Sequence, residues 1–271
     1  MHPDPPRSLA LPEITHVEPE LTSESTVGAA WLGPEHHQAR IGSVIERLSV
    51  EVPIEGRRWY VGGTYLMAVG QAPSYGPLRV IPGNFELQGR GLWAETSGLA
   101  FGGGMGVMLP TAAFDQNGPT GQAAAVATAL RGWDYAFFQP GYVALRPFID
   151  VRWLAGDLVV QFRQGINWGF RVKHMGTNSL EGNTSIYAGY RVSEKLGVGL
   201  EVIEHYFIDA PMLDSKRTRV FVSPMVRLMT PFLQPALSIY GGFGSMPNLP
   251  VEATWGVRVA FTFLLPSAVA P

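Results

Sequence analysis

The 271-residue chain has no cysteine, so thiolate nucleophiles, disulfides and Cys-ligated metals are excluded. Any chemistry must come from arginine, carboxylate, histidine and serine. Of the 20 basic residues, 17 are Arg, the side chain suited to forked pairing with carboxylates. Arg and acids recur at even offsets inside apolar stretches. Glu86 and Arg90 are four residues apart, as are Arg146 and Asp150. On an extended chain an even offset places both members on one face. Reading every segment this way puts Arg58, Glu86, Arg90, Arg146, Asp150, Arg152, Gln161, Arg163, Asn167, Arg171, Tyr187, Arg191, Glu201, Arg219, Arg227, Glu252 and Arg258 opposite apolar faces. Around a lumen, this excess of Arg over acids would focus a potential favouring anionic or electron-rich solutes. The same side chains could instead pair across strands and hold register. The Glu86/Arg90 and Arg146/Asp150 spacings favour local networks.

Other chemistries find little support. The sequence contains no P-loop and no H-E-x-x-H, and Gly102–Gly106 does not fit G-x-G-x-x-G; glycines there are explained by bending or close approach in a strand. Adjacent His36 and His37 point apart on an extended chain, so a solvated loop is expected rather than a metal site. No cofactor is expected. His205 shares a face with Glu201, and Ser223 falls on the next segment nearer its middle. No motif joins them, but a Ser/His site at a barrel rim keeps an outer-membrane enzyme open as an alternative.

These residues need elements to position them, and composition restricts the choice. Charged residues are 15% and apolar residues 46%, with 32 Gly, 22 Pro and a net charge of −2. That apolar content argues against disorder, the lack of basic excess against nucleic-acid binding, and the Gly and Pro against a helical bundle. Two charge-free stretches, 97–114 and 228–251, are interrupted by Gly and Pro, so neither is a spanning helix. A membrane protein of this composition must be a closed barrel, which satisfies its backbone internally.

Period-two alternation supports that reading. Asn84, Glu86, Gln88 and Arg90 alternate with Phe85, Leu87, Gly89, Gly91 and Trp93; Val251–Phe263 behaves likewise. Alternation predicts about twelve strands: 26–33, 45–55, 58–70, 82–95, 99–114, 137–154, 158–172, 184–193, 196–208, 218–230, 233–244 and 250–263. Most are long enough to cross a bilayer, which takes about 9–11 tilted residues. Short connections alternate with longer ones, the pattern of periplasmic turns and extracellular loops. Trp59, Trp93 and Trp153 fall at the periplasmic ends and Trp31, Trp168 and Trp255 towards the extracellular ends, as an aromatic girdle requires. The longest loop, 115–136, contains an Ala-rich run with helix propensity and Thr120 as its expected N-cap. A helix there would either enter and constrict the mouth or lie on the outer rim.

The expected architecture is an all-β, transmembrane, antiparallel up-and-down barrel of about twelve strands, with a short helix in the longest extracellular loop. Residues 1–25 read as a flexible, Pro-rich periplasmic segment and residues 26–271 as the barrel. The N-terminus shows no basic region followed by an apolar run, which fits a mature form, a late start or a cytosolic chain.

The last strand, Trp255-Gly-Val-Arg-Val-Ala-Phe-Thr-Phe263, resembles the C-terminal strand of bacterial outer-membrane proteins, although eight residues follow it. The resemblance implies that Phe261 and Phe263 are read by the barrel-assembly machinery. Gly102–Asp115 and Arg58–Tyr65 resemble segments of the outer-membrane transporter family grouped under the phenol-degradation MetA-pathway name. That resemblance implies passage of small, often hydrophobic or aromatic, compounds. The expected partners are the lipid bilayer, lipopolysaccharide, the barrel-assembly machinery and a small solute, with no nucleic acid. The expected location is the bacterial outer membrane. The expected function is a passive channel whose solute path runs past Glu86, Arg90, Arg146, Asp150, Arg163, Arg171, Arg191, Glu201, Arg227 and Arg258. Besides an enzyme, a structural or adhesion barrel and a soluble ligand-binding barrel are the competing readings.

Overall fold

The computed structural model describes residues 6–9, 19–32, 40–54, 58–71, 77–172, 178–208, 218–244 and 251–265. Among them, twelve antiparallel strands close into a barrel in sequence order, the first pairing with the last. The strands are β1 (Glu20–Leu32), β2 (Arg40–Ile54), β3 (Trp59–Gly70), β4 (Arg79–Thr96), β5 (Leu99–Leu109), β6 (Tyr142–Ala155), β7 (Leu158–Arg171), β8 (Ser179–Ser193), β9 (Leu196–Phe207), β10 (Thr218–Leu228), β11 (Leu233–Gly244) and β12 (Val251–Leu264). Long connections gather at one end of the barrel. Short turns gather at the other, together with Glu20 and Leu264.

Burial follows the period-two pattern with its polarity inverted relative to a soluble sheet. In β12, Thr254, Arg258 and Thr262 are buried, whereas Trp255, Val257, Phe261 and Phe263 are exposed. On most strands the apolar face points outward; charged side chains fill the middle and short-turn end of the interior, and apolar ones such as Ile45, Leu66, Ile81 and Met108 line it at the long-loop end. The twelfth strand also explains one misplaced residue. Trp31 pairs with Ala253 and Leu32 with Val251, so Glu252 has no partner and the phase inverts there. Val251 consequently turns into the core, and Glu252, expected in the lumen, is exposed. Arg58, also expected there, sits exposed in a turn.

Five strand boundaries differ from expectation by five or six residues; β2 starts at Arg40 rather than 45 and β8 at Ser179 rather than 184, and the other three differ for local reasons. β1 starts at Glu20, not 26, so Glu20–Ser25, expected in a leading segment, belongs to the sheet. Its outward residues Ser23 and Ser25 are polar, which hides the alternation. β5 stops at Leu109 because Pro110 has no N–H to continue the ladder. β6 starts at Tyr142 rather than 137 because Gly132–Phe138 forms a 3-10 helix.

That 3-10 helix follows α1 (Pro119–Leu130), and both lie inside the barrel at its long-loop end. The expected helix is present, and it enters the mouth instead of lying on the rim. Ala123, Ala127 and Leu130 pack against Ile45, Leu66, Ile81 and Met108 on the inner wall. Small Ala side chains permit the helix to approach the strands closely. The N-cap is Gly118 and Pro119 occupies the first turn, a position whose missing N–H has no intrahelical partner anyway; Thr120 lies within the helix rather than capping it.

At the seam between the first and last strands, the Tyr240 ring fills the space left by two glycines. A Cβ at Gly256 would lie 2.6 Å from the ring edge, and one at Gly28 would lie 2.8 Å from the hydroxyl. Gly256→Val is expected to cost about 1–3 kcal/mol by overpacking. The check is heat-modifiable gel migration across a urea series, in which the variant should lose its fast-migrating band at lower urea.

Candidate functional site: a lumen between two inward segments

The interior is occupied from both ends. α1 and the 3-10 helix descend from the long-loop end, and residues 6–9 enter from the short-turn end, all four of them buried. Between them lies a cavity of about 140 Å³. Trp133, Asp134 and Phe137 border it on one side and Arg7, Ser8 and Leu9 on the other; the wall contributes Arg47, Glu51, Glu86, Arg146, Phe148, Arg163 and Arg227.

The inward segment is held by polar contacts from the wall. Asn84, fully buried on β4, donates to the carbonyls of Ala136 (2.9 Å) and Gln139 (2.7 Å), and accepts from the amide of Ala112 (2.9 Å). Its three bonds fix both flanks of the loop. Trp133 packs edge-on against Phe221 (4.5 Å between centroids) and Tyr240 (5.9 Å). The guanidiniums of Arg131 and Arg258 lie over its ring at 5.2 and 5.4 Å.

A chain of alternating charges links the two segments. Arg131 pairs with Asp134 (2.6 Å) and with Glu24; Glu24 accepts from Arg258 (2.9 Å); Arg258 reaches Glu201 (2.7 Å); Glu201 accepts from the hydroxyl of Ser8. Arg131, Glu24, Arg258 and Glu201 are all 0% exposed. Burial opposes the Arg131 charge, but Glu24 and Asp134 outweigh it and hold the guanidinium above its ordinary pKa. Burial, reinforced by Glu181, pushes the phenol of Tyr135 up to about 12.

The ten residues expected along the solute path all lie on the inner face, and several of them pair with residues of other strands. Glu86 and Arg90 do not pair with each other, nor do Arg146 and Asp150. Arg90 forks onto Glu51 (2.8 and 2.7 Å), Arg146 reaches Glu86 (2.8 Å), and Arg163 forks onto Asp150 (2.6 and 2.7 Å). Residues four apart on a strand are about 13 Å apart, too distant to meet directly, whereas strands one or two places round the barrel are about 5 or 10 Å away, within reach of an Arg side chain on the concave inner face. Arg191 pairs with Asp157 (2.6 Å) near a short turn, and Arg171 donates to Gln116 (3.0 Å) in the long loop. Among the described residues, Arg219 and Arg227 are buried without an ion pair. The cavity border itself carries five Arg and four acids, so most of the expected positive excess is compensated. Glu24, Glu51, Arg131 and Asp134 were missed by alternation: Glu24 precedes the span expected for the first strand, Glu51 is absent from the expected lumen set although Val44, Leu48, Val50, Val52 and Ile54 form an apolar face opposite it, and the other two follow the loop helix.

Trp59, Trp93 and Trp153 project outward at the short-turn end, Trp168 and Trp255 outward towards the long-loop end, and Trp31 is half-buried nearby. Phe261 and Phe263 also project outward. The Ser/His arrangement does not assemble. Ser223 hydrogen-bonds Ser238 and lies opposite Glu201, whereas His205 lies opposite Arg219, four residues further along β10. The imidazole is 3.7 Å from Glu181. His36 and His37 lie outside the described residues.

No protein-family model matches the chain. No curated protein matches it by sequence. The fold does have solved counterparts. An outer membrane channel from Pseudomonas putida F1 superposes with a TM-score of 0.69 at 9% identity, covering 95% of this chain and 100% of that one. The NanC porin gives 0.55 at 12% identity (89% and 100%), and the KdgM porin 0.53 at 10% (91% and 99%). The closed sheet, its inverted burial and these likenesses define a class: the bacterial outer-membrane β-barrel with the architecture of channels and porins.

Glu24→Gln would leave Arg131 with Asp134 and Arg258 with Glu201 as their remaining carboxylates. It is expected to destabilise the barrel by about 1–3 kcal/mol, measured as a lower urea midpoint.

Proposed function

We propose that this protein is a narrow outer-membrane channel for passive movement of small solutes, with a preference for anionic and aromatic ones. The observation that carries the reading is a charged cavity enclosed by a barrel whose outside is apolar. A structural barrel gains nothing from burying this many ionised groups, since apolar side chains would fill the same space without desolvation cost. Guanidiniums along the wall favour anions, and Trp133, Phe137 and Phe148 at the same cavity offer ring faces and edges to an aromatic solute. The resemblance of Gly102–Asp115 and Arg58–Tyr65 to the MetA-pathway transporters points the same way.

In this reading the long loops are extracellular and the turns periplasmic. The outward Trp residues sit at the two interfaces with lipid and lipopolysaccharide, and Phe261 and Phe263 are contacted by the barrel-assembly machinery. The solute path follows the charged wall from Arg171 past Arg146, Glu86, Arg163, Asp150 and Arg90 towards Arg258, Glu201, Arg227 and Arg191. The segment 119–138 is its constriction.

Two planar-bilayer measurements test this. The purified barrel should give small unitary conductances with a reversal potential shifted towards the anion equilibrium. Deleting 118–131, or breaking the loop anchor with Asn84→Ala, should raise the conductance severalfold. Unchanged conductance in a correctly folded variant would remove the constriction.

A further inference from the structure

Most buried arginines of this interior face a carboxylate: Arg7, Arg90, Arg131 and Arg258 each do. Arg227 does not, among the described residues. It is 2% exposed and borders the cavity. Its Nε has no hydrogen-bond partner, and its other nitrogens reach only neutral acceptors at long range: Gln234 Oε1 at 3.5 Å, Thr262 Oγ1 at 3.3 Å and the Ser8 carbonyl at 3.4 Å. A guanidinium in this setting bears a desolvation cost that its partners do not offset.

Arg47 borders the same cavity. Its Nη1 donates to the Leu9 carbonyl at 3.2 Å, with the Glu24 carboxylate further off at 3.7 Å. The two carbonyls thus come from successive residues of one short segment. Two guanidiniums converging on two neighbouring oxygens is an arrangement suited to a carboxylate, which would give Arg227 a charged acceptor in place of weak neutral ones and Arg47 a second one besides the more distant Glu24. Other contacts hold the segment in place. Arg7 pairs with Glu20, the Ser8 hydroxyl donates to Glu201, and the Tyr187 hydroxyl donates to the Pro6 carbonyl at 3.0 Å. Among the described residues, the segment takes no part in the sheet.

We propose that Arg227 and Arg47 form a binding subsite for the carboxylate of a small organic acid, and that the Ser8 and Leu9 carbonyls occupy this subsite in the resting barrel. The inference rests on the channel reading above and names the solute group its inner end receives. The chain's own backbone stands in for the ligand, so a solute carboxylate and residues 6–9 compete for one position. Phe148 and Phe137 on the same cavity give an attached ring somewhere to lie.

The lack of native cysteine makes a clean test available in the full-length chain. A Cβ at Gly197 would stand against the Cβ of Pro6, closer than the about 3.8 Å of a disulfide, so the double variant P6C/G197C needs a shift of the segment of about 1 Å and can then lock it by oxidation and release it by reduction. Benzoate is the probe and benzyl alcohol its uncharged control, both followed by calorimetry on the detergent-solubilised barrel. Reduced protein should bind benzoate at least about tenfold more tightly than oxidised protein, since locking removes the competent state. Benzyl alcohol should show no redox difference. Arg227→Lys, which keeps the charge but loses the fork, should weaken benzoate in the reduced form. Equal benzoate affinity in both redox states, or no benzoate binding in the reduced state, overturns the subsite. The channel reading is judged separately, by chloride conductance of the reduced protein.

Discussion

One carboxylate organises the interior. Glu24, on the first strand, accepts from Arg258 on the last strand and from Arg131 on the inward loop. All three are sealed from solvent, where an unpaired charge is costly. The need to neutralise each of them fixes three things together: the seam between first and last strands, the depth of the loop, and the orientation of Trp133 between the two guanidiniums. The apolar contacts of α1 with the wall then fill the space that these pairs define.

The same requirement ties the two ends of the lumen together. Glu24 and Arg258 connect Asp134 and Arg131 on one side with Glu201 and Ser8 on the other. Each inward segment therefore meets a wall whose charges are already placed by the opposite segment. The barrel holds a lumen that is polar and nearly balanced in charge, rather than the strongly positive pore that counting arginines implies. Within that balance, Arg219 and Arg227 remain outside any ion pair among the described residues.

Strand count, closure and which face meets lipid were legible because lipid imposes a strict alternation on long strands. Phe261, Phe263 and the outward Trp residues carry that signal unambiguously. The loop helix was legible from its Ala content, but not its location, since Ala-rich helices suit either a rim or a tight interior. Partners were not legible. Period two states that Glu86 and Arg90 face inward, yet only the register places Arg90 opposite Gly104 on one side and Tyr60 on the other, and lets it reach across β3 to Glu51 on β2. Glu20–Ser25 was missed because alternation was sought as apolar against polar. There the outward Ser23 and Ser25 are polar, and the inward Glu20, Thr22 and Glu24 are spaced correctly. Residues 6–9 carry no periodic signal at all, and their burial depends wholly on groups supplied by distant strands.

The Tyr240 ring that spans Gly28 and Gly256 sits where the sheet becomes circular. Pairing β1 with β12 joins residues more than 200 positions apart, as in Glu20 with Leu264, and is the least local step in forming the molecule. The ring can seat against both glycines only after that join is made. A contact formed so late does little to hasten assembly; it lowers the rate at which the finished barrel reopens. The seam, which could be the weak line of a cylinder made from a single ribbon, thereby becomes a source of its kinetic persistence.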